Sequence, residues 1–436
     1  MKKDMKTAIR ESLSRFCVPG STRGRLLAAS LMCVAMPSLV SAQTLLHRYS
    51  FVSDASDSVG GPQWAGTVVP PNGGSAATIS DGLPLPGGGG PGFSGYVTLP
   101  AGILTNTANI TVESWVSQST QSGVNWAEIY SFNNGTGSYF SLIADNNANN
   151  NHLSTAFRLN NSEADAVAGF QLPVGGQQYI AVTFNTNTLV GNLYTNGAIV
   201  ASVTAPNIGF TPGLLGGSGG TLNNFIGQDP WPDPQFQGTV YEFRIWNGVV
   251  SQRYLSASAV AGPSILINNL TPSTVAINAG ASLPVSGSEQ ADVTVQLPQT
   301  GSANLEAVLD ATNWVSSNPG VLTVNSQGVI SAVGVGTATI SAKVGGVTGT
   351  SGTITVGQIA LLHRYSFVAD ASDSVGGPQG NGTVVAATTG TNAVINNGLT
   401  LSGGGGPGYS GYVTLPAGIL TNTTSVTIEG CVTQAN

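Results

Sequence analysis

The stretch LLHRYSFVSDASDSVGGPQ that starts at Leu45 returns as LLHRYSFVADASDSVGGPQ at Leu361. The alignment runs without a gap from Leu45 to Gln118 at a constant offset of 316 residues, and about 70% of its positions are identical. SGYVTLPAGILTNT at Ser94 recurs unchanged at Ser410, and GGGGPG at Gly87 recurs at Gly403. Solenoid units repeat every roughly 20–50 residues. This period is domain-sized, so the sequence reads as a duplicated domain with other material between the copies. Copy one continues past Gln118 to about Ala261, whereas the sequence runs out at Asn436, just beyond the equivalent of Gln118. Early and late strands of an antiparallel sandwich commonly pair. A half-copy is therefore expected to expose strand edges and an unfilled apolar face, and to be poorly ordered or imperfectly packed.

Charge narrows the partners. Only 8% of the 436 residues are charged and the formal net charge is −7, against about a quarter charged in ordinary domains. A nucleic-acid partner needs a basic footprint that this chain lacks. The basic residues that exist crowd the start: Lys2, Lys3, Lys6, Arg10, Arg15, Arg23 and Arg25 precede the apolar run LLAASLMCVAMPSLV, and VSA ends at Ala42. Residues 1–42 read as a secretory signal peptide, with an apolar run too short for a comfortable membrane span. Its removal takes Cys17 and Cys33 and leaves Cys431 alone, so no internal disulfide is expected in an exported chain.

Strand signals dominate copy one. LLHRYSF alternates, with Leu45, His47, Tyr49 and Phe51 on one face. NITVESWVSQ sets Ile110, Val112, Ser114 and Val116 against Glu113 and Trp115. GTVYEFRIWN sends Tyr241, Phe243 and Ile245 one way and Val240, Glu242, Arg244 and Trp246 the other. Asn196-Gly197 lies between two apolar runs and predicts a tight hairpin. SQRYLSASAV from Ser251 is the only helix expected after residue 42. Many strands separated by Gly, Asn and Pro turns predict an all-β chain built of sandwiches or jelly rolls. Residues 265–357 are almost uncharged, rich in Val, Thr, Ala and Ser, and of a length for one seven-stranded sandwich. The expected layout is a signal peptide over 1–42, a jelly roll over 43–262, an immunoglobulin-like sandwich over 265–357 and an incomplete second jelly roll over 358–436.

HRYSF, ITVESWV, QYIAVTFN with LYTNG, and FIGQDPWPDPQFQGTVYEFRIWNGVVS, in this order and spacing, resemble the laminin-G-like, concanavalin A-like jelly roll of secreted bacterial proteins. The resemblance implies two antiparallel sheets, one concave, with rim loops that bind calcium, glycans or proteins. NWVSSNPGVLTVNSQGVISAVGVGTATISAKVGG, from Asn313, is similar to the group 2 bacterial immunoglobulin-like domain, a spacer or adhesive module of surface and secreted proteins.

No catalytic set stands out. Glycoside hydrolysis needs two carboxyls flanking the bond, and the nearest string, SEADAVAG with Glu163 and Asp165, reads as a solvated loop. His47 and its repeat equivalent His363 read as satisfied core histidines. GGGGPG has no Lys or helix behind it and reads as a turn. Asp54 and Asp57 of DASDS read as Asx-turn residues. Calcium wants several oxygens, and two loops offer them: Asp229 and Asp233 in GQDPWPDPQ, and Asp145 and Asn146 in IADNNANNN. Trp231, Trp126 and Tyr130 lie in or beside loops, where an exposed ring could stack on a sugar face. The function expected is that of a secreted or cell-surface, non-enzymatic protein whose jelly roll binds an extracellular glycan or protein, with calcium as its one candidate cofactor. The alternative is a fragment of a polysaccharide-degrading enzyme or its carbohydrate-binding accessory.

Overall fold

A computed structural model describes residues 43–121, 125–204, 209–215, 221–299, 303–358, 360–421 and 426–434. The expected signal peptide lies outside them. Contacts divide the chain into one unit over Leu39–Gln358 and another that holds Ile359–Asn436.

The first unit opens with fourteen strands. They are β1 (Thr44–Tyr49), β2 (Thr67–Val69), β3 (Leu83–Leu85), β4 (Tyr96–Leu99), β5 (Ile110–Gln118), β6 (Glu128–Asn133) and β7 (Tyr139–Asn146). After these come β8 (His152–Leu159), β9 (Ser162–Val167), β10 (Gly175–Asn185), β11 (Val190–Thr195), β12 (Ala198–Thr204), β13 (Asn223–Ile226) and β14 (Gly238–Asn247). One seven-stranded sheet runs β1-β14-β5-β10-β11-β12 with β3 added beside β14; the other runs β2-β4-β13-β6-β7-β8-β9. Every pairing is antiparallel, so the expected all-β, two-sheet architecture is what this segment adopts. The last strand lies between the first and the fifth, which is how residues far apart in sequence close the sheet.

The inner faces share one core. Phe140 stacks on Phe157 at 5.3 Å between ring centroids, and Phe184 meets Phe210 edge-on at 4.8 Å. Such offset and edge-to-face pairs suit the charge distribution of aromatic rings and add to their area burial. Ile110, Val112 and Val116 face this core while Trp115 and Tyr179 pack on the opposite side of the sheet, as alternation predicts. Two faces differ from simple alternation. Register shifts between Leu45 and His47 and between Val240 and Glu242, so Leu45 leaves the core side and Val240 joins Phe243 and Ile245 on it. Each shift is a bulge, in which one extra residue reverses the facing downstream. SEADAV is likewise a strand, β9, paired along its whole length with β8 rather than a loop.

Helix α1 (Gln252–Ala261) is the predicted one. Ser251 caps it, its Oγ accepting the Tyr254 N–H, and Gly262 ends it at φ 84°. Asn196 and Gly197 both take positive φ, 48° and 83°, as a two-residue hairpin requires, and a Cβ on Gly197 would meet Ser256 of the helix. Helix α1 lays Leu255 against Trp115, Tyr179, Tyr194, Trp246 and Val250 and so covers the outer face of the first sheet.

Residues 274–357 form four three-stranded ladders around a separate core that includes Val293, Val295, Leu322, Ile330 and Ile340. One of their pairings, Ser282–Pro284 with Ile354–Gly357, is parallel.

Copy two keeps the local code of copy one. His363 Nδ1 lies 2.5 Å from Asp373 Oδ2 and its Nε2 lies 3.1 Å from the Ile419 carbonyl, as His47 does with Asp57 at 2.6 Å and Ile103 at 3.2 Å. Its described strands are short: Thr383–Val385 with Tyr412–Thr414, and Val394–Ile395 with Leu399–Thr400. The apolar positions lack their cover. Leu401, Leu415, Leu420, Val426 and Ile428 are exposed, and Val432 is 94% exposed where its counterpart Val116 is fully buried. Limited proteolysis of the chain should therefore cut within 361–434 well before it cuts within 45–260; equal resistance of the two segments would contradict this.

Candidate functional site

With α1 on the first sheet, the open surface is the outer face of the second. Register places its outward side chains in rows across the strands. One row holds Thr98, Phe225, Ser131, Ser141, Ala156 and Asp165; the next holds Asn223, Asn133, Tyr139, Arg158 and Glu163; a third holds Glu128, Ile143, Ser154 and Val167. Phe225 and Tyr96 meet edge-on at 5.8 Å, both half-buried.

The loop between β13 and β14 folds over the centre of these rows. Its ends are tied to the glycine turn before β4: the Gly92 N–H donates to Gln228 Oε1 at 2.6 Å, and Gln235 both accepts from the Ser94 N–H at 2.6 Å and donates to the Ser94 carbonyl at 3.1 Å. GGGGPG is thus a turn, as read, and it anchors this loop. Between the anchors, Asp229 Oδ1 accepts the Trp231 N–H at 2.7 Å, and Pro230, Pro232 and Pro234 remove backbone freedom. The half-buried Trp231 ring packs on Tyr139, Ile143 and Ala156. The Arg158 guanidinium lies 5.7 Å from the Trp231 ring centre and 5.6 Å from that of Tyr139, within cation–π range. Arg158 also donates to Glu163 Oε2 at 2.9 Å, and the Tyr139 hydroxyl donates to the same oxygen at 2.5 Å.

Beneath the loop lies a set of acids. Glu128 and Asp229 are both buried, and Glu128 Oε2, the Ser141 hydroxyl and the Tyr130 hydroxyl are buried without a hydrogen-bond partner. Burial, reinforced by the charge of Asp229, holds the Glu128 carboxyl well above the usual range. Burial pushes Asp229 up to about 8, with Asp233 adding to the rise, and raises Asp233 as well. At the next strand edge, burial and the neighbouring Glu163 push Asp165 up to about 7.

Residues 89–256 match the concanavalin A-like lectin/glucanases superfamily. Among solved structures, the chain is similar to domain 4 of AbnA, a GH43 extracellular arabinanase from Geobacillus stearothermophilus, in complex with arabinotriose. That likeness has 22% identity, covers 49% of this chain and 97% of that one, and has a TM-score of 0.40. A Ruminococcus gnavus IT-sialidase CBM40 bound to α2,3-sialyllactose has 14% identity, covering 40% of this chain and 94% of that one, with a TM-score of 0.30. A heptameric SAP-like pentraxin from Limulus polyphemus has 17% identity, covering 37% and 72%, with a TM-score of 0.27. No curated protein matches the chain. The concanavalin A-like jelly roll expected for copy one is thus the fold of the matched segment, and the face just described is the outer side of one of its two sheets.

The residues singled out from sequence distribute unevenly over this jelly roll. Trp231 holds the centre of the open face. Tyr130 does not serve as a platform: it is fully buried, with its ring against Phe132, Phe140 and Phe243, because the register shift after Glu128 turns it into the core. Trp126 is half-exposed with φ 68°, its N–H donating to the Asp145 carbonyl at 2.7 Å. Of the residues expected to hold calcium, Asp229 and Asp233 lie in the loop between β13 and β14, and Asp145 and Asn146 end β7. Among the described residues no three His, Cys, Asp or Glu side chains gather to hold a metal ion. Asp145 Oδ2 accepts from Gln118 at 2.5 Å, Asn146 donates to the Ser154 hydroxyl and accepts from Asn149, and Asp229 holds the Trp231 N–H. Burial pushes Asp145 up to about 6. The DASDS motif serves structure: Asp54 accepts the Ser56 N–H in an Asx turn, and Asp57 pairs with His47.

Sequence reading missed Glu128, Tyr139, Arg158 and Phe225. For Tyr139 and Arg158 a signal is present in YFSLIADN and HLSTAFRL, where each lies beside an apolar core residue, Phe140 and Phe157. A carboxyl pair on one strand is legible in sequence, whereas Glu128 and Asp229 approach from a strand and a loop far apart in the chain. Each is 3% exposed. What the surface does present is an aromatic plane, a guanidinium, two carboxyls and the amide of Asn223, groups that stack on and hydrogen-bond a sugar.

Proposed function

We propose that copy one is a non-enzymatic glycan-binding module of a secreted or cell-surface protein, and that it binds on the outer face of the second sheet. The observation that carries this reading is Trp231, held half-buried across Tyr139, Ile143 and Ala156 by a proline-stiffened loop with Arg158 beside it. A flat indole presented this way stacks on a sugar ring without demanding one sequence of sugars, and Arg158 beside it, with Glu163 and Asp165 on the next strand, supplies polar groups. The 265–357 segment is read as a spacer or adhesive unit. Among the described residues no helix is long and apolar enough to cross a membrane. Stacking on Trp231 needs no cation, so this binding should survive a chelator; loss of binding on chelation would instead support the expected calcium.

The test is an oligosaccharide array followed by calorimetry. Trp231→Ala should weaken binding by at least about tenfold, the loss of one stacked ring, measured at a temperature where the variant, which also loses the packing on Tyr139, Ile143 and Ala156, remains folded. A second reading, a glycan hydrolase, draws on the buried Glu128–Asp229 pair. Release of reducing ends that is lost in Glu128→Gln would support it over the first.

A further inference from the structure

We propose that this face takes an uncharged oligosaccharide and rejects anionic sugars such as sialosides and uronates, a step that rests on the glycan-binding reading above. The face and its covering loop carry five carboxyl groups, those of Glu128, Asp229, Asp233, Glu163 and Asp165. Arg158 is the only arginine or lysine in the three rows. An anionic sugar needs a guanidinium or ammonium free to face it. Arg158 is not free in that sense: its Nη1 is committed to Glu163 at 2.9 Å, its Nε is unpartnered but buried, and its guanidinium lies against Tyr139 and Trp231.

The carboxyls suit a neutral ligand on two counts. Ionised, Glu163 accepts hydrogen bonds from sugar hydroxyls. Protonated, a buried carboxyl adds no charge and keeps a donor. Neutral recognition also fits the low charge of the whole chain, 8% charged residues with a net −7, which provides no cationic field to draw an anion in.

The experiment uses the full chain on an array holding neutral oligosaccharides and matched sialylated and uronic-acid forms. Neutral members are expected to bind at least about tenfold (about 1.4 kcal/mol) more tightly than their acidic counterparts. That binding should change less than about twofold between about 0.05 and 0.5 M salt, because no ion pair forms across the interface. Glu163→Gln, which releases Arg158, should shift the ratio of acidic to neutral binding upward. Tighter binding of acidic or of cationic amino-sugar members would overturn the charge assignment and leave the glycan reading standing. Binding of no member at all would overturn the glycan reading itself.

Discussion

Arg244→Met should cost the jelly roll about 3–5 kcal/mol, the penalty for breaking a buried ionic network by removing one member. Arg244 is fully buried. Its Nε donates to Glu242 at 2.7 Å, its Nη1 to the Ser258 hydroxyl at 3.3 Å, and its Nη2 to the carbonyls of Pro263 and Ile265 at 2.6 and 2.9 Å. The guanidinium also lies 4.4 Å over the Trp115 ring. Ser258 in turn donates to Glu113, which accepts from Tyr179 and from the Trp246 indole. Methionine fills the volume but leaves Glu242 with Arg48 alone and two carbonyls after the helix without a donor. Urea unfolding followed by tryptophan fluorescence measures the loss. Arg48→Met, which removes a partly exposed partner of Glu242, should cost distinctly less. The double change Arg244→Met with Glu242→Leu should recover part of the loss, since no charge is then stranded. A cost below about 1 kcal/mol for Arg244→Met, the scale of a surface pair, would contradict the assignment.

The second large effect is a dependence on pH set by the acids under Trp231. Unfolded, an aspartate gives up its proton near pH 4; folded, Asp229 keeps it until about pH 8. The stability associated with the neutral carboxyl is therefore complete below about pH 4 and drains away as pH rises to about 8. Glu128, also raised, acts in the same direction. Other groups facing this pair are Asp233, Tyr130 and Tyr139, and beyond Tyr139 the Arg158–Glu163 pair. Glu128→Gln keeps the shape and cannot ionise. It should stabilise the jelly roll by about 1–3 kcal/mol at pH 9 relative to the parent, the cost of a charge held in a dry site, with little or no gain at pH 4. An equal change at both pH values would show that the effect is packing and not charge.

How much of this was legible in the sequence depends on whether a feature is local. The Asn196-Gly197 hairpin, the capped helix after Ser251, and the alternation of Ile110, Val112 and Val116 against Glu113 and Trp115 each follow from neighbours within a few residues, and each is in the structure. Leu45 and Val240 face other sides than alternation predicts because a bulge inverts facing, and a bulge depends on the partner strand, which alternation in one strand does not report; Tyr130, expected in or beside a loop, lies inside β6 with its ring in the core. Trp231 was legible as a candidate platform because prolines flank it. The acids under it were not, since Glu128 and Asp229 meet only once β6 and β13 have paired in register. Copy two makes the same point from the other side: its His363–Asp373 contact forms from local sequence alone, while Val426, Ile428 and Val432 lie exposed.

The central claim, that sugar is bound on the outer face of the second sheet, is tested most directly by nuclear magnetic resonance titration of the chain with a neutral oligosaccharide chosen from the array, observing tryptophan indole and arginine side-chain signals. The account predicts that the Trp231 indole and the Arg158 Nε–H shift together in saturable fashion, while the buried indoles of Trp115 and Trp246 under helix α1 stay in place. Shifts confined to the helix-covered sheet or to the 265–357 segment, with Trp231 and Arg158 unmoved at saturation, would contradict it.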